Sequence, residues 1–263
     1  ADFGGEVERI LSMVDSCLLL VDAVEGPMPQ TRFVTQKAFQ HGLKPIVVIN
    51  KIDRDGARVD WVVDQVFDLF YHLGASEEQL DFQIIYASAI NGYAKLDIND
   101  ENTDMTPLLD MILAHAPEPS VDLNGPFQMQ ISSLDHSPYV GTIGIGRIQR
   151  GKIEPNTPIK IVDREGSVRS ARVLQVLNHM GLERYEADQA TAGNIIAVTG
   201  MGNLDISDTL CDPEHVEALP ALSVDEPTIS MIFEVNSSPF AGKDGEYLTS
   251  RQIRKRLMDE AEH

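Results

Sequence analysis

The side chains best suited to chemistry stand at the ends of two apolar runs. Residues 46–49 read Ile-Val-Val-Ile, and the run breaks at once into Asn50, Lys51, Ile52 and Asp53. A continuous β-branched run of this length reads as a strand buried on both faces, as in a parallel sheet. Its polar residues then fall at the C-terminal edge, where ligands bind in open α/β sheets. A carboxylate at Asp53 accepts hydrogen bonds from both N1–H and N2–H₂ of guanine, and adenine presents no such pair of donors. The stem of Lys51 can lie along the base plane, and Asn50 can tie this turn to its neighbours. Hydrogen bonds to a charged group contribute about 1.5–3 kcal/mol each. Two of them left unpaired by the wrong base give discrimination on the order of 10²–10⁴. A second run, residues 84–87, ends in Ser88, Ala89 and Ile90. This is a small-residue turn whose backbone N–H groups can approach the guanine O6. Asn-Lys-x-Asp alone also fits an ordinary strand and polar turn. Two strands ending in complementary turns point instead to a guanine nucleotide, GTP or GDP, held by Asn50, Lys51, Ile52, Asp53, Ser88, Ala89 and Ile90.

The elements that must position these turns follow the same rhythm. Residues 1–5 read as a loop before a helix with Val7, Ile10, Leu11 and Val14 at helical spacing. Residues 17–21 form a buried strand closing on Asp22 and Ala23, and Glu25-Gly26-Pro27 turns the chain. Pro29 opens a helix that carries Phe33, Val34 and Ala38 and stops at Gly42. Asp60 is placed to cap a helix whose Val62, Val63, Val66, Leu69, Phe70 and Leu73 form one core-facing stripe, with Trp61 beside them. A last helix starts at Thr106-Pro107 and is ended by Pro117 and Pro119. The alternation predicts a doubly wound parallel sheet.

From Gly125 the pattern changes. Short alternating strands over residues 127–134, 140–148, 159–162, 168–177 and 195–198, parted by Gly, Asn and Pro turns, predict an antiparallel β-barrel. Gly146 to Ile153 spells G-x-x-x-x-G-K, but Ile153 stands where Mg²⁺ needs a Ser or Thr, and Pro155 and Pro158 forbid the required helix. A hairpin is expected there. From Glu226 a strand over 228–235, a Gly-rich loop and a helix carrying Ile253, Leu257 and Ala261, capped by Thr249 or Ser250, suggest the start of a third domain.

Composition sets bounds. The 263 residues suffice for about two domains. No run approaches the roughly 18 apolar residues of a membrane span, so no membrane partner is expected. Cys17 and Cys211 lie far apart in strand-like contexts, which argues against a disulfide framework and for a reducing compartment. With 41 acids and 21 bases the net charge is −20, so bulk charge does not draw this chain to nucleic acid. Any RNA contact must be local. The candidates are Arg147, Arg150 and Lys152 near a barrel turn, and Arg251, Arg254 and Lys255, with Arg256, on the last helix. The acids of residues 97–104 lack EF-hand spacing and read as a solvated loop. The seven histidines are scattered, and neither a catalytic nor a metal-binding residue is assigned. The chain does not open on Met and starts inside a pattern, so it reads as a piece of a longer protein.

The two guanine turns, residues 50–53 and 88–90, resemble the specificity motifs of translational GTPases. Residues 1–9 resemble the segment following their Asp-Thr-Pro-Gly-His motif. Residues 128–135 and 139–147 in the barrel, and 218–228 and 236–242 beyond it, resemble the BipA/TypA group. That resemblance implies a P-loop-type α/β GTP-binding domain over residues 1–120, without its N-terminal segment. It further implies a domain II barrel over 121–222 and the beginning of an α+β domain III over 223–263. The implied protein is a cytoplasmic, ribosome-associated GTPase linked to stress responses and large-subunit assembly, with rRNA and tRNA as neighbours. Its catalytic His, phosphate loop and Mg²⁺ ligands would lie outside this chain, so the piece alone is expected not to hydrolyse GTP. Two alternatives stay open at this stage: another translational GTPase of LepA or ribosome-protection type, and a nucleotide-free ribosome-docking module.

Overall fold

In the computed structural model, which describes residues 4–137, 139–181, 183–222, 229–243, 245 and 249–261, the chain divides into two units, Ala1–Val121 and Asp122–His263. The first unit runs α1 (Gly4–Leu11), β1 (Cys17–Asp22), α2 (Pro29–Gln40), β2 (Pro45–Asn50), α3 (Val59–His72), α4 (Glu77–Leu80), β3 (Ile84–Ser88), β4 (Tyr93–Lys95) and α5 (Thr106–His115). Its sheet has the order β1-β2-β3-β4. The first two pairings are parallel and the last is antiparallel. Strand β2 is buried on both faces, which explains its unbroken apolar run. Val47 and Ile49 join Leu19, Val21, Val62, Val66 and Phe70 on one side. Ile46 and Val48 join Ile85, Ala87, Ala94 and Met111 on the other. The four-residue spacing of Val62, Val66 and Phe70 keeps all three on one face of α3. The Phe70 ring stands edge-on to Phe39 and Phe82, with centroids 5.0 and 4.8 Å away.

Three local expectations change. Gly4 and Gly5 already belong to α1 rather than to a loop. Asp60 lies inside the first turn of α3, where its charge still suits the helix dipole, and Arg58 takes the capping position. The short helix α4, closed by the reciprocal Ser76–Gln79 capping box, and the hairpin strand β4 escape periodicity because they are only 4 and 3 residues long.

The second unit contains β5 (Gln128–Ser137), β6 (Gly141–Arg150), β7 (Lys152–Ile153), β8 (Pro158–Val162), β9 (Val168–Arg172), β10 (Gln175–Met180), β11 (Glu183–Glu186), β12 (Ala190–Thr191), β13 (Ile195–Thr199), β14 (Thr209–Cys211) and, after it, helix α6 (Ser250–Ala261). Eight strands form the antiparallel barrel sheet in the order β11-β10-β13-β6-β5-β14-β8-β9, and β12 pairs with β7. The single strand expected over 168–177 is two, because the chain turns at Val173 and Leu174. Strands β5 and β6 approach so closely at Gly146 that an added Cβ would lie 2.0 Å from the Gln130 carbonyl oxygen. The G-x-x-x-x-G-K string is strand β6, a turn at left-handed Gly151 (φ 73°) and strand β7.

Beyond β14 the chain folds back over the barrel. Five side chains from β5, β14 and the turn before it hold residues 217–222 by backbone groups. Gln128 Nε2 and Cys211 Sγ donate to the Glu217 carbonyl at 2.8 and 3.2 Å. Thr209 Oγ1 accepts from Leu219 N–H at 3.1 Å, Gln130 Nε2 donates to the Pro220 carbonyl at 2.8 Å, and Ser207 Oγ accepts from Leu222 N–H at 3.0 Å. The expected strand over 228–235 is absent from its described part, residues 229–235, which are without regular structure. A strand needs a neighbouring ladder to take its N–H and C=O groups, and none of the described strands pairs with this segment. Residues 1–3 and 223–228, which carried part of the resemblance, lie outside the described residues. Helix α6 starts after Thr249, which exchanges capping hydrogen bonds with Gln252.

Candidate nucleotide site

Registration of the parallel strands assembles the site. Asp22 pairs with Asn50 and Asn50 with Ala87, so β1, β2 and β3 end level and their C-terminal turns meet. Asn50 links two of these turns through one atom. Its Oδ1 accepts the N–H of Lys51 at 2.8 Å and the N–H of Ala89 at 3.0 Å. Backbone bonds reinforce the link: Ile52 N–H donates to the Ala87 carbonyl at 3.3 Å and Ala23 N–H to the Asn50 carbonyl at 2.9 Å. The role given to Asn50 from sequence is therefore visible as geometry.

Lys51 adopts a left-handed backbone (φ 67°), which costs a non-glycine residue about 1–2 kcal/mol. Such strain persists where the surroundings over-determine it, and Lys51 is held at both ends. Its N–H goes to Asn50, and its Nζ lies 2.6 Å from Asp22 Oδ2. Asp53 is exposed, next to the buried Ser88. A hydrogen bond from the Ser88 hydroxyl, opposed by desolvation, holds the Asp53 carboxyl below the usual carboxylate range. Arg54 and Asn91 act in the same direction. Asn91 Nδ2 in turn donates to Ser88 Oγ at 2.8 Å. A charged carboxylate thus faces solvent beside the Ser88–Ala89 turn, with the Lys51 stem anchored near it. An acceptor so placed suits the amino–imino edge of guanine, which offers two donors. Ile90, the next residue of this turn, is 88% exposed.

Two contributors were missed from sequence. Asp22 lies 29 residues before Lys51, and its Oδ1 also accepts from Val24 N–H at 2.8 Å and Glu25 N–H at 3.3 Å. Lys51 leads the causes that lower the Asp22 pKa to about 2. The turn after β1 is clamped from α3. Arg58 Nη2 donates to the Val24 carbonyl at 2.8 Å and its guanidinium stacks 3.8 Å from the Trp61 ring centroid, while Trp61 lies against Gly26. Strand register is the only signal that could have found Asp22.

Comparison with known proteins bears directly on this arrangement. Residues 1–118 match the family described as the elongation factor Tu GTP binding domain, and residues 141–211 match elongation factor Tu domain 2. Over all 263 residues the chain is 67% identical to the large ribosomal subunit assembly factors BipA of Salmonella typhimurium and Escherichia coli K12. It is 59% identical to that of Buchnera aphidicola. These matches support a fragment of a translational GTPase of BipA type. The chain spans 43% of the length of these relatives.

In this BipA-type chain the cations nominated for RNA do not share one fate. Arg147 is corrected outright. It lies within β6, four residues before the Gly151 turn, paired with Gln130 and Ile195 on its two sides, and is buried. It cannot meet a phosphate. Arg150 is largely occupied within the fold, donating from Nε to the Pro126 carbonyl at 2.9 Å and from Nη2 to Glu217 at 3.0 Å. Lys152 is exposed, 3.7 Å from Glu154. Arg251, Arg254 and Lys255 are exposed on α6. The acids of the 97–104 loop bond to its own turns: Asp97 accepts from Asn99 N–H, Asp100 from Asp97 N–H and Asp104 from Thr106 N–H. Among the described residues no helix is long and apolar enough to cross a membrane.

Proposed function

We propose that this chain supplies the base-recognising part of a guanine-nucleotide site, together with the barrel through which the whole protein couples GTP binding and hydrolysis to the ribosome as the large subunit is assembled in the cytoplasm. One observation carries the base-recognition reading. A charged, exposed carboxylate at Asp53 stands beside the Ser88 turn, and Asn50 fastens the two turns together. Asp53 accepts from the guanine N1–H and N2–H₂. The Lys51 stem lies along the ring. Because the Ala89 N–H points to Asn50, the guanine O6 is assigned to the next backbone donor, that of Ile90. Asn50, Ile52 and Ser88 hold these groups in place rather than reading the base.

Magnesium and the phosphates are assigned no ligand among these residues. When bound, magnesium would stabilise the charge on the phosphates during phosphoryl transfer, and the residues seen here contribute binding and base selection only. The names of the relatives support the ribosomal part of the proposal, and the barrel and α6 are its candidate contact surfaces. Domain boundaries are proposed near residues 120 and 222.

The test is base selectivity in the full-length protein. Asp53→Asn should lower GTP affinity by on the order of 10²-fold. It should also favour xanthosine triphosphate, because the new amide donates to the xanthine C2 carbonyl. GTP affinity equal to wild type would remove Asp53 from the site and overturn the reading.

A further inference from the structure

A problem of charge is built into the sequence Asn50-Lys51-Ile52-Asp53-Arg54. The carboxylate that must stay open to a base is flanked by two cations, either of which can reach it. In solution such neighbours pair readily, and an ammonium on Asp53 would occupy the two lone-pair sites that a purine edge needs. In this fold the cations are drawn elsewhere. Lys51 Nζ lies 2.6 Å from Asp22 Oδ2, and Arg54 Nη1 lies 4.0 Å from the same oxygen. The other Asp22 oxygen, Oδ1, is turned to the backbone of its own loop at Val24 and Glu25. That loop is pinned by Arg58 and Trp61, so Asp22 is a fixed point rather than a mobile side chain. Its side chain is only 15% exposed, whereas that of Lys51 is 43% exposed and depends on Asp22 for its direction.

We infer that Asp22 is a positioning residue of the nucleotide site: it draws the ammonium of Lys51 away from Asp53, leaving the Asp53 carboxylate free for the base and stretching the Lys51 stem into a platform beneath the ring. This rests on the base-recognition reading proposed above and adds a residue to it. Asp22 touches neither base nor phosphate and acts only through Lys51. Its ionised state suits the task, since Lys51 keeps its pKa near 2 and it stays charged throughout the physiological range.

The experiment is a double-mutant cycle in the full-length protein, read as the dissociation rate of a fluorescent GDP derivative. Asp22→Asn keeps an oxygen for the Val24 N–H, so the turn survives while the charge is lost. It should speed GDP release about tenfold, in line with the loss of one charge-assisted hydrogen bond. In a Lys51→Met background, where no ammonium remains to be misdirected, the same substitution should leave the rate unchanged. A role confined to holding the turn would instead give equal effects in both backgrounds. That result overturns the inference, as does an unchanged rate in the single variant. Asp53→Asn run alongside separates the two failures. If it shifts selectivity to xanthine while Asp22→Asn does nothing, only the role of Asp22 falls. If Asp53→Asn does nothing either, the base reading falls and this inference falls with it.

Discussion

Cys17 measures how tightly the first sheet is closed at the level of one side chain. It opens β1, and burial pushes its thiol up to about 11. The thiolate is the reactive species, and with that pKa its fraction at pH 8 is on the order of one in a thousand. Alkylation by iodoacetamide at pH 8, followed by mass spectrometry, should therefore be slow at Cys17 in the folded chain and fast in urea. The folded rate should rise only as the pH nears 11. Rapid labelling at pH 8 without denaturant would contradict the packing of β1. At this scale the sequence was readable where the geometry is local. Asn50, Asp53 and Ser88 stand in two short strings, and the tie that Asn50 makes between them follows from its place at the strand end. It was unreadable where a partner is remote. Asp22 meets Lys51 across 29 positions. Arg147 was read as standing near a turn, but strand β6 runs past it to Arg150 and encloses it between two neighbours.

At the scale of elements, the segment 217–222 shows how a stretch that resembles a linker is made part of a domain. Glu-Ala-Leu-Pro-Ala-Leu has no strand periodicity, and a proline at position 220 rules out a central strand. The barrel nevertheless orders it, because Gln128, Gln130, Ser207, Thr209 and Cys211 are buried polar groups whose hydrogen bonds end on its backbone. The reciprocal satisfaction stabilises both sides: the segment loses its freedom and the side chains avoid being buried unpaired. Thr209→Val keeps the shape and removes the acceptor for the Leu219 N–H. We expect it to destabilise the chain by about 1–3 kcal/mol, seen as a lower urea midpoint with an unchanged slope. Faster hydrogen exchange at the Leu219 amide should accompany it. An unaltered exchange rate would mean that water already satisfies that N–H and that the clasp is weaker than the geometry indicates. The same logic explains why residues 229–235 do not become a strand despite favourable composition. Propensity proposes an element, but an unpaired backbone among the described residues gives it no ladder to join.

At the scale of these 263 residues, the excess of acid makes the proposed ribosome contact a matter of placement. A net charge of −20 opposes approach to RNA at long range, so affinity must come from a few phosphates met by correctly exposed cations. The fold reduces the nominated set. Arg147 is buried and Arg150 is committed to Pro126 and Glu217, which leaves Lys152 and the α6 group of Arg251, Arg254 and Lys255. Each phosphate neutralised adds about 0.7–0.9 to the slope of log affinity against log salt. In the full-length protein, replacing Arg251, Arg254 and Lys255 by Gln should reduce that slope for ribosome binding by about 2, provided all three meet phosphates. Arg147→Gln should leave the slope unchanged and instead lower the unfolding midpoint, since it alters a buried position rather than a surface charge. If the α6 triple variant retains the full slope, helix α6 faces solvent or protein, and the electrostatic contact must be sought at Lys152 or outside these 263 residues.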